Sequence, residues 1–489
     1  MRTAKSFIFL LLILAMPAMA QNAIDRVTAE ALKPSHLETN LERLTDQVGG
    51  RVPGTPAMQA AVQWGVDAFK AAGADQVHTE AFTIRAGWTE GNTEMTIVTP
   101  ERFRVRAISR AWTPALAPAH HVPVIDVGQG TAEDFAKAKN AAGSILLIQS
   151  DEMRTWDDLD AEYSNARRVV DRAVKAKALA VAFQSTRPHG LLYRHSNAVE
   201  GEIDSIPSIL LSREDAGRMV RLLASGQKLS ADLSIPNHIT GPVTSANVVA
   251  ELRGSEKPDE FVVLGAHLDS WDLGTGALDN GCNAALVIDA LRAIRDSGVR
   301  PRRSIRFILF SGEEEGLVGS FSYVRAHRGE MDKAAGVVVF DDGIGRLTGF
   351  SLAGRKDLVG AATRLLSRVS TVAGTGFTTD ASTGTDNFDF MLEGVPTLVA
   401  NQEEANYLIN YHATSDTFDK VDLAALKKHV GEAAGVTFAL AEAPERLGPR
   451  LNHEEVEQTL RETHLDEELK SSFLWQEWES GKRGREKQE

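Results

Sequence analysis

Among 489 residues there is a single cysteine, Cys282, so no disulfide can close within the chain. A chain of this length can bury enough apolar surface to fold without one, and it exceeds one typical core, so two domains are expected. A surplus of positive charge is also missing. The 53 Lys and Arg residues face 67 Asp and Glu, a formal charge of −14. A nucleic-acid-binding face or an anionic-membrane face needs the opposite balance. Long apolar runs are absent too, since no segment reaches the roughly twenty residues of a membrane-spanning helix. What remains, 43% hydrophobic and 25% charged residues, is an ordinary soluble globular composition.

The first twenty residues read as an export signal rather than as part of the fold. Arg2 and Lys5 precede an apolar run, Phe7 to Met16, and Ala18-Met19-Ala20 offers a small-x-small cleavage pattern. With no cysteine after the run, a lipid anchor is not expected. A secreted or periplasmic protein cleaved near Ala20, with no membrane attachment afterwards, is the expectation. Cys282 itself reads as a small buried apolar residue.

Beyond the signal, helices are expected at about 23–47 and 56–72, with the Gly- and Pro-rich loop 49–55 between them and a strand at 77–84. From about residue 115 to 240 the pattern changes. Short apolar strands at 122–127, 144–148, 179–183 and 208–211 alternate with helical pieces at 132–138, 167–176 and 213–224. From Asn247 strand and helix alternate again: strands 261–266, 304–310, 336–340 and 395–400, and helices 283–295, 317–326, 356–370 and 423–441. Such alternation predicts an α/β fold, a mixed, mostly parallel sheet sandwiched by helices. The tail from Arg446 is highly charged, yet Leu460, Leu465, Leu469, Phe473 and Trp475 recur at helical intervals.

The chemistry-bearing residues follow the buried strands, where ligands gather in such folds. His267 and Asp269 end the 261–266 strand, and Asp279 lies in Gly276-Ala277-Leu278-Asp279-Asn280-Gly281. Glu313-Glu314-Glu315-Gly316 follows 304–310, Asp341-Asp342-Gly343 follows 336–340, and Tyr411-His412 comes after 395–400. Singly, each has a plain structural explanation: a satisfied histidine, a solvated charge run, an Asp-Gly turn. Together they end strands that should converge, and burying so many carboxylates without cations would be prohibitive. Two histidines with several carboxylates and no thiolate suit zinc and related borderline cations, and a pair of them sharing one carboxylate suits hydrolysis.

These segments resemble the zinc exopeptidases related to bacterial leucyl aminopeptidase. The carriers are His267-Leu268-Asp269, Gly276-Ala277-Leu278-Asp279-Asn280, Glu313-Glu314-x-Gly316-Leu317-x-Gly319-Ser320 and Tyr411-His412 with Asp416-Thr417. Within that family the resemblance is most marked toward the branch containing plasma glutamate carboxypeptidase and its bacterial relatives. Ile206 to Gly217 resembles the protease-associated, β-rich domain inserted in these enzymes. The resemblance implies a phosphorylase/hydrolase-like zinc peptidase fold, with a catalytic domain over 21–114 and 243–445, an inserted domain over 115–242 and a charged tail over 446–489. It implies two Zn2+ per chain. His267 and Asp341 would bind one ion, Glu314 and His412 the other, and Asp279 would bridge them. Either Asp341 or Asp342 could serve; the family alignment through Gly343 and Thr348-Gly349 favours Asp341. Asp269 would hold the second ring nitrogen of His267. Glu313 would be the general base, and neighbours at a strand end can face metal and water separately. Asp386, in Thr385-Asp386-Asn387-Phe388, and Tyr411 are candidate substrate-binding residues. The expected substrate is a short peptide, cleaved by an aminopeptidase or dipeptidase, with a carboxypeptidase as the nearest rival. A one-zinc glutaminyl cyclase and a catalytically dead binding ectodomain are disfavoured by the complete ligand set. A homodimer is implied by the resemblance alone.

Overall fold

The computed structural model describes residues 21–196, 200–372, 374–472 and 474–487. The expected signal peptide, 1–20, and Phe473 lie outside them. The first of two large sheets has eight strands. Their order is Gln76–Ile84, Val243–Leu252, Arg303–Phe310, Lys257–His267, Ala334–Val339, Thr397–Gln402, Leu347–Ser351 and Gly376–Thr378. The four strands from Arg303–Phe310 to Thr397–Gln402 run parallel, so their carboxyl ends leave the sheet along one edge. Antiparallel pairings attach Val243–Leu252, Gln76–Ile84 and Leu347–Ser351, and Gly376–Thr378 pairs parallel with the last of these.

The buried faces explain why the central strands read as continuous apolar runs. Lys257–His267 is buried from Phe261 onward. Val262, Leu264 and Ala266 join the core shared with helices Cys282–Asp296 and Leu423–Glu442. Phe261 and Val263 point the other way, to the core holding Tyr323 and Val324 of helix Val318–Ala326. A strand covered on both faces has no polar side to alternate with. Gly265 is glycine for want of room: a Cβ there would stand 2.6 Å from the Phe310 ring.

The second sheet, also of eight strands, is ordered Phe103–Val105, Glu94–Thr99, Leu229–Ile235, Leu116–Asp126, Ile145–Ile148, Ala180–Gln184, Ser208–Leu211 and Ala107–Ser109. Its strands begin at Glu94, ahead of the change of sequence pattern near residue 115. Helix Arg213–Ala224 covers one face through Ala216 and Met219, and helix Trp156–Lys175 the other through Ala166, Val169, Val170 and Ala173. Thr155 and Asp158 close a capping box on the latter, which starts well before the expected 167 because its first turns are acidic and carry few apolar residues. Ile84 and Val243 are register partners in the first sheet. Residues 85–242 therefore leave that sheet and return to it at one point.

The helix expected over 356–370 is shorter, a 3-10 turn Lys356–Leu358 leading into Val359–Leu366. The expected first helix is broken into 21–31, Leu37–Glu42 and the π-helical Arg43–Val48. The charged tail is folded. Its helices His453–Glu462, Leu465–Ser471 and Trp475–Glu479 bring Val456, Leu460, Leu465, Leu469 and Trp478 against Phe388, Met391 and Leu392. No helix among the described residues is long and apolar enough to cross a membrane.

Candidate metal centre

The parallel strands deliver their trailing residues to one edge. His267 is the last residue of its strand, Glu313 and Glu314 follow Phe310, Asp341 follows Ala334–Val339, and His412 lies beyond Thr397–Gln402. His267 Nε2 is 3.1 Å from Asp279 Oδ1 and 3.1 Å from Asp341 Oδ1. His412 Nε2 is 3.2 Å from Asp279 Oδ2 and 2.9 Å from Glu314 Oε2. Two groups that could hold a metal ion result, His267/Asp279/Asp341 and Asp279/Glu314/His412. Asp279 belongs to both, one oxygen to each. Asp341 rather than Asp342 reaches the first group.

Backbone and side-chain bonds fix these groups in place. The Asp416 carboxylate accepts from the N–H groups of Ala277, Leu278 and Asp279, holding the turn that carries Asp279. Gly276 opens that turn with φ 60°, and a Cβ there would meet the Ser270 side chain at 2.3 Å. The Asn280 amide donates to Asp341 Oδ1 at 2.9 Å. Arg51, fully buried, donates to the carbonyls of Leu268, Gly49, Thr275 and Gly276 and so ties the 49–55 loop beneath the site. Burial lowers its pKa to about 10, against the nearby Asp416, Asp269 and Asp279. His267 Nδ1 lies 3.0 Å from the main-chain oxygen of Asp269 and 3.7 Å from its carboxylate. The carboxylate instead accepts from the Glu314 N–H. The main-chain oxygen, not the expected side chain, is thus the acceptor within bonding distance.

Sequence reading missed Arg51, Asn280 and a set from the second sheet's segment: Tyr163, Arg194 and His195. His412 Nδ1 is 3.0 Å from the Arg194 carbonyl and 3.0 Å from His195 Nδ1. The density of Gly and Pro around Arg51 was the one available signal; the Arg194-His195 pair carries none. Tyr411 stacks on the His412 ring at 3.6 Å between centroids.

The site is rich in negative charge. Burial pushes Glu313 well above the ordinary carboxylate range; Asp341, Glu314 and Asp386 add to this while His267 opposes it. Burial likewise raises Glu314, Glu315 and Asp386, and lifts Asp342 to about 7, helped by Asp341 and Asp279. Asp279 Oδ2, Glu314 Oε1 and both oxygens of Asp386 are buried without a hydrogen-bond partner. Orphaned carboxylate oxygens facing imidazole nitrogens, with no thiolate, fit a cation of the zinc type. Cys282 takes no part: its Sγ–H donates to the Leu278 carbonyl.

Residues 247–436 match Peptidase family M28. Over its greater length the chain is similar to carboxypeptidase Q of Rattus norvegicus, 27% identical over 406 residues, covering 83% of this chain and 85% of the relative. Among solved structures it is similar to an M28 peptidase precursor from Shewanella amazonensis, with a TM-score of 0.80, 27% identity, and coverage of 89% of this chain and 99% of that one. A zinc aminopeptidase from Bacillus subtilis shares the fold at a TM-score of 0.65 and 19% identity, covering 85% of this chain and 97% of that one. The M28 match spans all five residues of the two metal-competent groups.

Proposed function

We propose that this M28 metallo-exopeptidase holds two zinc ions and hydrolyses a terminal peptide bond of short peptides, as an aminopeptidase or dipeptidase. His267, Asp279 and Asp341 would hold one ion and Asp279, Glu314 and His412 the other. The observation that carries the reading is Asp279, whose two oxygens stand 3.1 and 3.2 Å from the Nε2 atoms of the two histidines. A carboxylate so placed is shared between two donor sets.

Bound there, the zinc pair would supply Lewis acidity toward a peptide carbonyl and toward water. Glu313 is the proton carrier. It is partly buried beside the ligands without belonging to either group, so it is placed to take a proton from water and return it to the leaving amine. Asp386, buried with unpartnered oxygens, suits the charged amino terminus of a substrate. Tyr411, stacked on His412, borders the same space. The similarity to carboxypeptidase Q supports the second reading, release of a carboxy-terminal residue. The segment 85–242, which opens earlier than the expected 115 because its first strands lie at 94–109, is proposed as an inserted protease-associated domain between the two parts of the catalytic domain, 21–84 and 243–445. Export with cleavage near Ala20 is proposed from the leading sequence.

Zinc titration of the purified protein beside Asp279→Asn tests the metal assignment. Two ions per chain in the wild type and weakened binding at both positions in the variant are expected; two ions held with unchanged affinity in the variant would refute it. Dipeptides with blocked ends separate the specificities. N-acetylation abolishes aminopeptidase cleavage, C-amidation abolishes carboxypeptidase cleavage, and a dipeptidase fails on both.

A further inference from the structure

The ligand His412 is held from behind by the segment that leaves the first sheet at Ile84 and returns at Val243. Tyr193 and Ala413 form a β-bridge between that segment and the ligand loop. The Arg194 N–H donates to the His412 carbonyl at 3.0 Å, and the Thr414 N–H donates to the Leu192 carbonyl at 2.9 Å. His412 sits in the left-handed region, φ 58°, which costs a non-glycine residue of order 1 kcal/mol and needs such support. Arg194 is itself locked, fully buried and paired with Glu90 and Asp272.

The ring nitrogens fix the direction of each bond. His412 Nε2 faces Asp279 and Glu314, so a neutral imidazole acting there as ligand carries its proton on Nδ1. That proton has two acceptors at 3.0 Å, the Arg194 carbonyl and His195 Nδ1. His195 Nδ1 must then be bare. The Tyr163 hydroxyl, 2.8 Å from the same atom and 3.4 Å from His412 Nδ1, can donate to a bare His195 Nδ1 and is compatible with this tautomer. The His195 proton falls on Nε2, which faces Glu162 Oε1 at 3.7 Å. Glu162 is held in turn by the hydroxyls of Tyr193 and Thr186. A His195 ring with its proton on Nδ1 would oppose one N–H to another.

We infer that His195 is a positioning residue for the ligand His412. It orients the imidazole and raises its basicity from outside the metal-binding domain, so the second sheet's segment contributes to metal affinity at one of the two positions. The inference rests on the two-zinc reading. Partners of this kind typically change metal affinity ten- to a hundredfold when removed.

The test is zinc titration of the full chain against a chromophoric chelator, which reads the two affinities separately and without turnover. His195→Leu should weaken one zinc by about ten- to a hundredfold and leave the other unchanged. His195→Asn, whose amide oxygen can stand where Nδ1 stood, should lie closer to the wild type. Equal loss at both positions, or loss at neither, overturns the role of His195. Should His195→Leu fail to fold, Tyr163→Phe decides alone. It keeps the buried ring, removes the hydroxyl bonded to Nδ1, and should weaken one zinc selectively; unchanged affinities overturn the inference. A wild-type protein that binds a single zinc would instead sink the two-zinc reading itself.

Discussion

Removing the Arg483 guanidinium, as in Arg483→Met, should detach the tail from the catalytic domain. Arg483 Nε and a terminal nitrogen donate to the two Asp389 oxygens at 2.7 and 2.9 Å, and both side chains are only 1% exposed. Burial lifts Asp389 above its ordinary range even with Arg483 beside it, so the pair as a whole adds little net stability. Deleting one partner is different, because it strands a buried carboxylate, at a cost of about 3–5 kcal/mol. The double replacement Arg483→Met with Asp389→Leu should recover most of that loss. The strain falls locally, on helix Phe388–Leu392 and on the tail, whose Arg485 N–H also donates to the Leu392 carbonyl. Hydrogen exchange by peptide mapping is therefore the assay, since melting of a chain this large is not expected to be a single two-state transition. Faster exchange over 385–392 and 475–487 in the single variant, restored in the double, is the predicted result. The sign with pH follows too. An unpaired Asp389 has a folded pKa above its unfolded one, so the folded state binds more protons and the defect shrinks as pH falls. Unchanged exchange in the single variant, or a double variant worse than the single, would refute the reasoning.

His429 is buried on helix Leu423–Glu442, and burial lowers its pKa to about 4. Its contribution is present above pH 6.5 and is lost as pH falls toward 4, a change of ~3 kcal/mol. Glu432, 3.8 Å away and lifted by burial to about 7, acts in the opposite sense. The comparison is thus the difference between wild type and His429→Leu in chemical denaturation at several pH values, and a difference flat in pH contradicts it. Burial also pushes the Cys282 thiol far above its usual range. Iodoacetamide should label it only in denaturant, and rapid labelling of the native protein would show that the site opens.

How far the fold could be read in the sequence depended on burial. Lys257–His267 and Arg303–Phe310 are covered on both faces, so their apolar runs stand out, and the groups at their ends could be read with them. Phe103–Val105 and Ala107–Ser109 have three residues each, too few for any period to show, so the second sheet seemed to start late. The tail's apolar spacing was visible, but its docking on Phe388–Leu392 depends on Arg483 and Asp389, ninety-four positions apart. Asp279, His267 and Asp341 lie in segments with their own local pattern. His195 does not, and around Arg51 only the density of Gly and Pro shows, because what these two residues do is donate to or accept from groups far along the chain.

The most direct test of the account is Glu313→Gln, with zinc content and peptide hydrolysis measured on the same preparation. Glu313 belongs to neither metal-competent group, yet stands among their charges. The account predicts two zinc ions per chain in wild type and variant alike, with hydrolysis lost by about two to four orders of magnitude in the variant. Undiminished hydrolysis in Glu313→Gln, with both zincs in place, would contradict it.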